Sequence, residues 1–302
     1  MTNERKIKLS IVFLNFNRLS DTQITVRHLK KITHHRDDIE VIAVDNASID
    51  GTGAFLRTQS HWLTLVEMTE NLGIAGINHG FRKAIGEYIL VLDDDSQPYD
   101  HHTIDKLITC LDEMHEVGIV ACRIESMEGR YVRTWHLPEV DRSGPSMAFV
   151  GCGFAIRRDL FEKIGWYPER FFLYQNEIEV AIRVMRLGYK IHYEPECRVV
   201  HRESVNGRSG WRRVYFPTRN TIWIIRRYYP LPESIYLIIS RLFMGFIRAI
   251  QFAEYKWYMK AVVEAFSETV EPDIVPAHLR KKLNTLWMQN SIFHQIVLRL
   301  FN

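Results

Sequence analysis

A short apolar run that stops on three carboxylates, "GEYILVLDDDSQP" at residues 86–98, constrains this chain more than any other stretch. Tyr88 to Leu92 carry the pattern of a strand buried on both faces of a parallel sheet. Asp93, Asp94 and Asp95 follow at once. Adjacent carboxylates repel one another and are tolerated only where solvent or a cation screens them. In an open α/β sheet, ligands bind just outside the carboxyl ends of the strands. The triplet is therefore either a solvated acidic turn or a place where a hard divalent cation bridges a substrate diphosphate.

The segments upstream repeat the rhythm. "KLSIVFLNFN", "IEVIAVDNAS" and "WLTLVEMTEN" read as strands, and "TQITVRHLKKI", "DGTGAFLRTQ" and "GINHGFRKAI" as the helices between them. Such alternation predicts an α/β fold with a doubly wound, mostly parallel sheet. Three of its strands end on polar residues, at Asn15, Asp45 and Asp93, which places all three ends on one edge of the sheet. After residue 100 the rhythm loosens: "TIDKLITCLDEM" is a helix, "VGIVACRI" a strand, and 125–148 an irregular surface stretch. Beyond Arg219 the composition turns to aromatic, arginine-studded helices. We place a domain boundary near 215, giving 1–215 as the sheet domain and 216–302 as a helical C-terminal region.

Thirty-nine Lys and Arg against thirty-six Asp and Glu leave +3, too mild to argue for a nucleic-acid partner. Four scattered cysteines without metal-ligand spacing fit a reduced, cytoplasmic chain. No apolar segment at the N-terminus suits a signal peptide; Ile7 to Phe16 reads as the first strand. Leu231 to Ala253 approaches a membrane span but carries Glu233, Arg241 and Arg248.

Asp45, at a strand end, can accept a hydrogen bond from a base N–H or a ribose hydroxyl, while Ser48 and Asp50 are placed to cap the next helix. "NLGIAGINHG" carries three glycines that let backbone approach a ligand or the sheet. "FVGCGF" either brings backbone to a substrate or packs beneath a helix. Trp135 and Trp166 are sugar-stacking candidates or core residues.

In order along the chain, "VDNASIDGT", "NLGIAGINHGF", "LDDD", "GCGFAIRRDLFEKIGWYPERFFLYQNEIEVAIRVMRLGYKI" and His201 resemble the family 2 glycosyltransferases of GT-A fold. The resemblance is to the rhamnosyl- and galactofuranosyl-transferase-like branch that builds bacterial surface polysaccharides, and it runs from about Leu9 to Arg227. It implies a nucleotide-diphosphate sugar donor, UDP- or dTDP-linked, and a glycan or lipid-linked acceptor. It places Asp93 at the ribose, Asp95 on Mg²⁺ or Mn²⁺, and Asp94 between them. Asp45 would contact the base, Asn15, Asn71 and Gly76 would line the same pocket, and His201 would complete the metal shell or serve the fold. Relatives read Glu-Asp-x-Asp where this chain has Asn176, Glu177 and Glu179. A carboxylate survives at the base position as Glu177, one methylene longer, while Glu179 and Arg183 form an i,i+4 pair with a structural role. "WYPER" departs from the Gly-x-Asp-Glu that often precedes the double Phe.

The C-terminal "ESIYLIISRLFMGFIRAIQFAEYKWYMKAVVEAF" puts Arg241 and Arg248 seven apart, on one helical face. That suits an interfacial helix meeting anionic lipid, peripheral on the cytoplasmic face of a membrane, or an apolar helix packed on the catalytic domain or another subunit in a homo-oligomer. The expected activity is inverting, metal-dependent transfer of a sugar to a hydroxyl. A pseudo-enzyme that binds without turnover, and a sugar nucleotidyltransferase, are the competing readings. The loop after the first strand, "NFNRLSDT", lacks the glycine the latter needs.

Overall fold

Leu9–Asn15 (β1) is buried along almost its whole length because it has sheet on both sides. The structure is a computed structural model that describes residues 6–132, 134, 136–202 and 209–289. β1 pairs in parallel with Ile39–Asp45 (β2) and Tyr88–Asp93 (β4), and β2 with Thr64–Glu67 (β3). Leu19–Thr33 (α1) and Thr52–Thr58 (α2) connect these strands. The third expected helix is only a 3-10 turn at Gly73–Ile77 followed by Asn78–Phe81 (α3).

After β4 the direction changes. Ser96–Pro98 (β5) leads to His101–Glu113 (α4) and Val117–Glu125 (β6). Gly144–Ser146 (β7), inside the stretch expected to be irregular, pairs with Lys190–His201 (β9). Gly153–Arg157 (β8) runs antiparallel between β4 and β6. Arg158–Lys163 (α5) and Asn176–Arg186 (α6) precede β9. The strand order is β3-β2-β1-β4-β8-β6-β9-β5, with β7 joined to β9. The sheet is thus mixed. An apolar run such as "GFAI" fixes burial but not strand direction, which is why β8 escaped the parallel expectation.

By internal packing the chain forms two units: residues 1–170 with 180–205, and residues 171–179 with 206–302. The composition shift near 215 falls inside Gly210–Tyr228 (α7), so the change in residue type does not coincide with an element boundary. The second unit adds Glu233–Phe252 (α8), Tyr255–Ser267 (α9) and Ala277–Gln289 (α10) to α7. Gly245 of α8 allows close approach to α7: a Cβ there would lie 2.7 Å from Thr218 Oγ1.

Arg241 of α8 does not face outward, and Arg248 is half-buried. Arg241 is 8% exposed, donates to the Trp287 carbonyl at 2.6 Å and stacks on the Trp287 ring. Burial pushes its guanidinium down to about 10, and burial lowers Arg248 as well. A seven-residue spacing shows that two side chains share a face, not which face it is. The outward face carries Ile235, Tyr236, Ile239, Phe243, Phe246, Ile247 and Ile250. The expectation that Arg241 meets lipid headgroups is therefore overturned. Arg241→Glu would set a carboxylate against a carbonyl oxygen, and we expect it to cost about 3 kcal/mol of stability, measurable by urea denaturation. A variant as stable as the native chain would contradict this packing.

Candidate active site

The parallel register brings the polar strand ends together: Asn15 lies beside Asp45, and Leu14 beside Asp93. Asn15 is fully buried. Its Nδ2 donates to the Val44 carbonyl at 3.1 Å and its Oδ1 accepts from Thr22 at 2.9 Å, so it ties β1 to β2 and α1. Asp45 is 4% exposed and accepts from the Ser48 amide at 3.3 Å.

Asn46, which the sequence reading passed over, organises the glycine-rich turn. Its Nδ2 donates to Asn71 Oδ1 (2.9 Å) and the Gly73 carbonyl (2.8 Å), and its Oδ1 accepts from the Leu72 amide (3.1 Å). Gly76 packs on the same side chain, where a Cβ would sit 2.5 Å from Asn46 Oδ1. A polar Asn directly after a strand-end Asp was the available signal.

The acidic triplet is not a solvated turn, since Asp94 and Asp95 are 6% and 3% exposed. Arg18 compensates them, its Nη1 lying 3.1 Å from Asp94 Oδ1 and 2.5 Å from Asp95 Oδ2. Asp94 Oδ2 also accepts from the Phe16 amide. Burial pushes the Asp94 carboxyl up to about 7 against the pull of Arg18, with Asp95 and Asp93 adding to the rise. Arg202 reaches the turn from β9's end, donating to the Asp94 carbonyl (3.0 Å), Thr25 Oγ1 (2.6 Å) and Gln97 Oε1 (2.6 Å). Arg18 and Arg202 were absent from the sequence reading because their partners are 76 and 108 residues away.

Asp93 is half-buried, and its amide donates to Ser96 Oγ at 2.9 Å, closing the turn. Ser96 opens β5 opposite His201, the last residue of β9. That pairing returns His201 to the carboxylates, with Nε2 3.2 Å from Asp95 Oδ1. Leu92 faces Gly153 across the antiparallel β4–β8 pair, so the preceding Cys152 arrives beside Asp93. One ligand atom each from Asp93, Cys152 and His201 lie within 4.8 Å of one another. A shared ion with bonds of about 2.0–2.3 Å spans such a separation with little side-chain movement. Carboxylate and imidazole suit Mn²⁺ better than an all-oxygen Mg²⁺ cage, and a thiolate shifts the preference further towards softer ions. The donor set fits a divalent cation, with Asp95 joined to it through His201.

Trp166 is 8% exposed and packs on Phe81 and Phe161, so it belongs to the core; Trp135 lies outside the described residues. Arg183 donates to the Ile164 and Trp166 carbonyls.

In the second unit, Glu177 stands half-buried in the first turn of α6, directly after the buried Asn176. Glu179 is 5% exposed and accepts from the Tyr228 hydroxyl at 2.6 Å. Its structural role thus runs through Tyr228, a partner that helical spacing does not reveal. The loop before the helix holds Phe172, Tyr174 and Gln175 at φ of 60°, 66° and 67°. Each such non-glycine residue costs on the order of 1–3 kcal/mol and persists only where its surroundings over-determine it.

Comparisons with known proteins show the family and the fold. The family model described as "Glycosyl transferase family 2" matches residues 10–188. "O-antigen biosynthesis protein RfbC" of Myxococcus xanthus is 25% identical over 155 residues, covering 44% of this chain and 12% of that protein. "O-antigen chain rhamnosyltransferase WbaN" of Salmonella anatum is 21% identical over 200 residues, covering 59% of this chain and 61% of that one. The chain thus spans less than two thirds of either relative. Among solved structures, a mannosyltransferase from Pyrobaculum calidifontis in complex with GDP-Man and Mn²⁺ superposes with a TM-score of 0.58 at 20% identity, covering 92% of this chain and 79% of that one. At that identity the likeness establishes the GT-A fold.

Proposed function

Because the chain belongs to glycosyl transferase family 2, we propose that it moves a sugar from a nucleotide-diphosphate donor, dTDP- or UDP-linked, to a hydroxyl of a glycan or lipid-linked acceptor, inverting the anomeric centre. The observation that carries this reading is the gathering of Asp45, Asp93, Asp95 and His201 at the carboxyl ends of the strands. In an open sheet that edge is where nucleotides bind.

Asp45 accepts from the base, Asp93 and the residues around Asn46, Asn71 and Gly76 shape the ribose pocket, and Asn15 and Asp94 hold the strand ends in register. Asp95, Asp93 and His201 would hold Mg²⁺ or Mn²⁺, with Cys152 beside them. Such an ion, when bound, supplies Lewis-acid stabilisation of charge on the leaving diphosphate. Glu177 takes the proton of the acceptor hydroxyl as the new bond forms, and it must do so from the side opposite the departing nucleotide for the centre to invert. Nucleoside diphosphate release from UDP-, dTDP- and GDP-sugars, with water as acceptor, tests the reading. Release from at least one donor is expected, and none from any would sink it.

A membrane surface is the proposed location of the acceptor, on the cytoplasmic face. Supporting this, the outward apolar stripe of α8 continues on α9 through Tyr255, Met259, Val263 and Phe266, with Phe246 and Tyr255 rings 6.5 Å apart. The exposed Lys256 and Lys260 flank it. Rings and aliphatic groups at a headgroup boundary with cations at the rim are the features of interfacial helices. α8 is also long and apolar enough to cross a membrane by length and composition. The full chain should pellet with anionic vesicles, and Ile239→Asp with Phe243→Asp should release it. Equal behaviour of the two proteins would count against the surface.

A further inference from the structure

We propose that Asn220 and Arg219 of α7 are positioning residues that hold the loop carrying Glu177 in its working conformation. This rests on Glu177 being the base. The side-chain nitrogen of Asn220, fully buried, lies 3.1, 2.9 and 2.9 Å from the carbonyl oxygens of Phe171, Leu173 and Tyr174. Those carbonyls belong to the loop in which Phe172, Tyr174 and Gln175 adopt left-handed backbone angles. Side chains larger than glycine do not stay there without external restraint. One amide reaching three carbonyls within four residues of irregular backbone is such a restraint.

Arg219 orients that amide and adds a second contact. Its Nε donates to Asn220 Oδ1 at 3.0 Å, which leaves the amide nitrogen facing the loop, and its Nη2 donates to the Phe171 carbonyl at 3.1 Å. Arg219 is itself fixed by Glu264 at 2.8 Å and by the Trp223 ring, 4.4 Å from its guanidinium carbon. The Tyr215 hydroxyl, 3.1 Å from Arg219 Nη1, also bonds Glu264. The loop then runs directly into α6, where the Gln175 carbonyl accepts from the Glu179 amide at 3.1 Å and Glu177 occupies the first turn. Tyr228, from the same helix as the clamp, bonds Glu179 two residues beyond the base. α7 therefore grips the chain on both sides of Glu177. A general base must sit within hydrogen-bond reach of the proton it takes, and a displacement near 1 Å costs on the order of a hundredfold.

The test is a double-variant cycle on the full chain. Turnover is read as nucleoside diphosphate released from the donor that supports activity, with water as acceptor. Asn220→Ala should lower kcat roughly 10- to 100-fold while leaving donor KM within about twofold. Combined with Glu177→Gln, it should lower kcat no further than Glu177→Gln alone, because residues acting through one group are not additive. Arg219→Lys, which keeps the charge but loses the forked donation, serves as a second variant if Asn220→Ala fails to fold, and the same cycle is expected of it. Additive losses would overturn the proposal, as would native kcat in both single variants beside an impaired Glu177→Gln. Native turnover in Glu177→Gln itself would instead remove the base assignment on which the clamp depends.

Discussion

Glu177→Gln is expected to lower turnover by about 10²- to 10⁴-fold, the range that general-base catalysis contributes. The substitution keeps the shape and the hydrogen-bonding oxygen of the side chain but cannot accept a proton. Glu177 is half-buried at the start of α6, and Glu179, Asn220 and Arg219 hold the fold around it. Melting temperature and nucleotide affinity should therefore change little. Loss of nucleotide affinity in step with turnover would show that the residue serves donor binding, and native turnover would remove it from the mechanism. The corresponding Glu179→Gln should behave differently: Tyr228 can still donate to an amide oxygen, so modest changes in both stability and rate are expected.

The second large effect concerns Asp95. Asp95→Asn keeps one acceptor oxygen, which can stay on Arg18 while its NH2 turns to the His201 ring nitrogen, and removes the negative charge from a residue only 3% exposed. We expect the gain in UDP or dTDP affinity brought by Mn²⁺ to shrink tenfold or more, about 1.4 kcal/mol at least. Asn is the informative substitution because Ala would take the Asp95 acceptor away from Arg18 altogether and mix a folding defect into the result. Calorimetric titration of the nucleotide with and without Mn²⁺ reads the effect directly. An unchanged Mn²⁺ gain in Asp95→Asn would move the ligand role to Asp93, which with Cys152 and His201 forms a compact donor set of its own.

Much of the first unit was legible before any coordinates. β1, β2 and β4 are continuous apolar runs ending on Asn15, Asp45 and Asp93, and parallel pairing of such runs forces those ends to one edge. The resemblance put Asp95 and His201 on one metal, and the structure brings their side chains to 3.2 Å. What stayed hidden depended on register and direction. Cys152 reaches Asp93 only because β8 runs antiparallel to β4, and Arg18 and Arg202 reach the triplet across distances that no periodic pattern encodes. The helical unit misled in a different way. In α8 the most apolar stripe faces outward and Arg241 inward, the reverse of the usual amphipathic pattern of a helix packed on a core. Nothing in "FFLYQN" announces three left-handed residues, since none is glycine; the restraint that permits them comes from Asn220, some fifty residues later.

If the edge formed by Asp93, Asp95 and His201 binds a nucleotide diphosphate together with a divalent cation, nucleotide affinity depends on that ion. Isothermal titration of the full chain with UDP and with dTDP, in Mn²⁺ and in EDTA, tests it most directly. Measurable binding of at least one nucleotide in Mn²⁺, weakening tenfold or more in EDTA, is expected. Equal affinity in the two buffers, or no binding of either nucleotide in Mn²⁺, would contradict it.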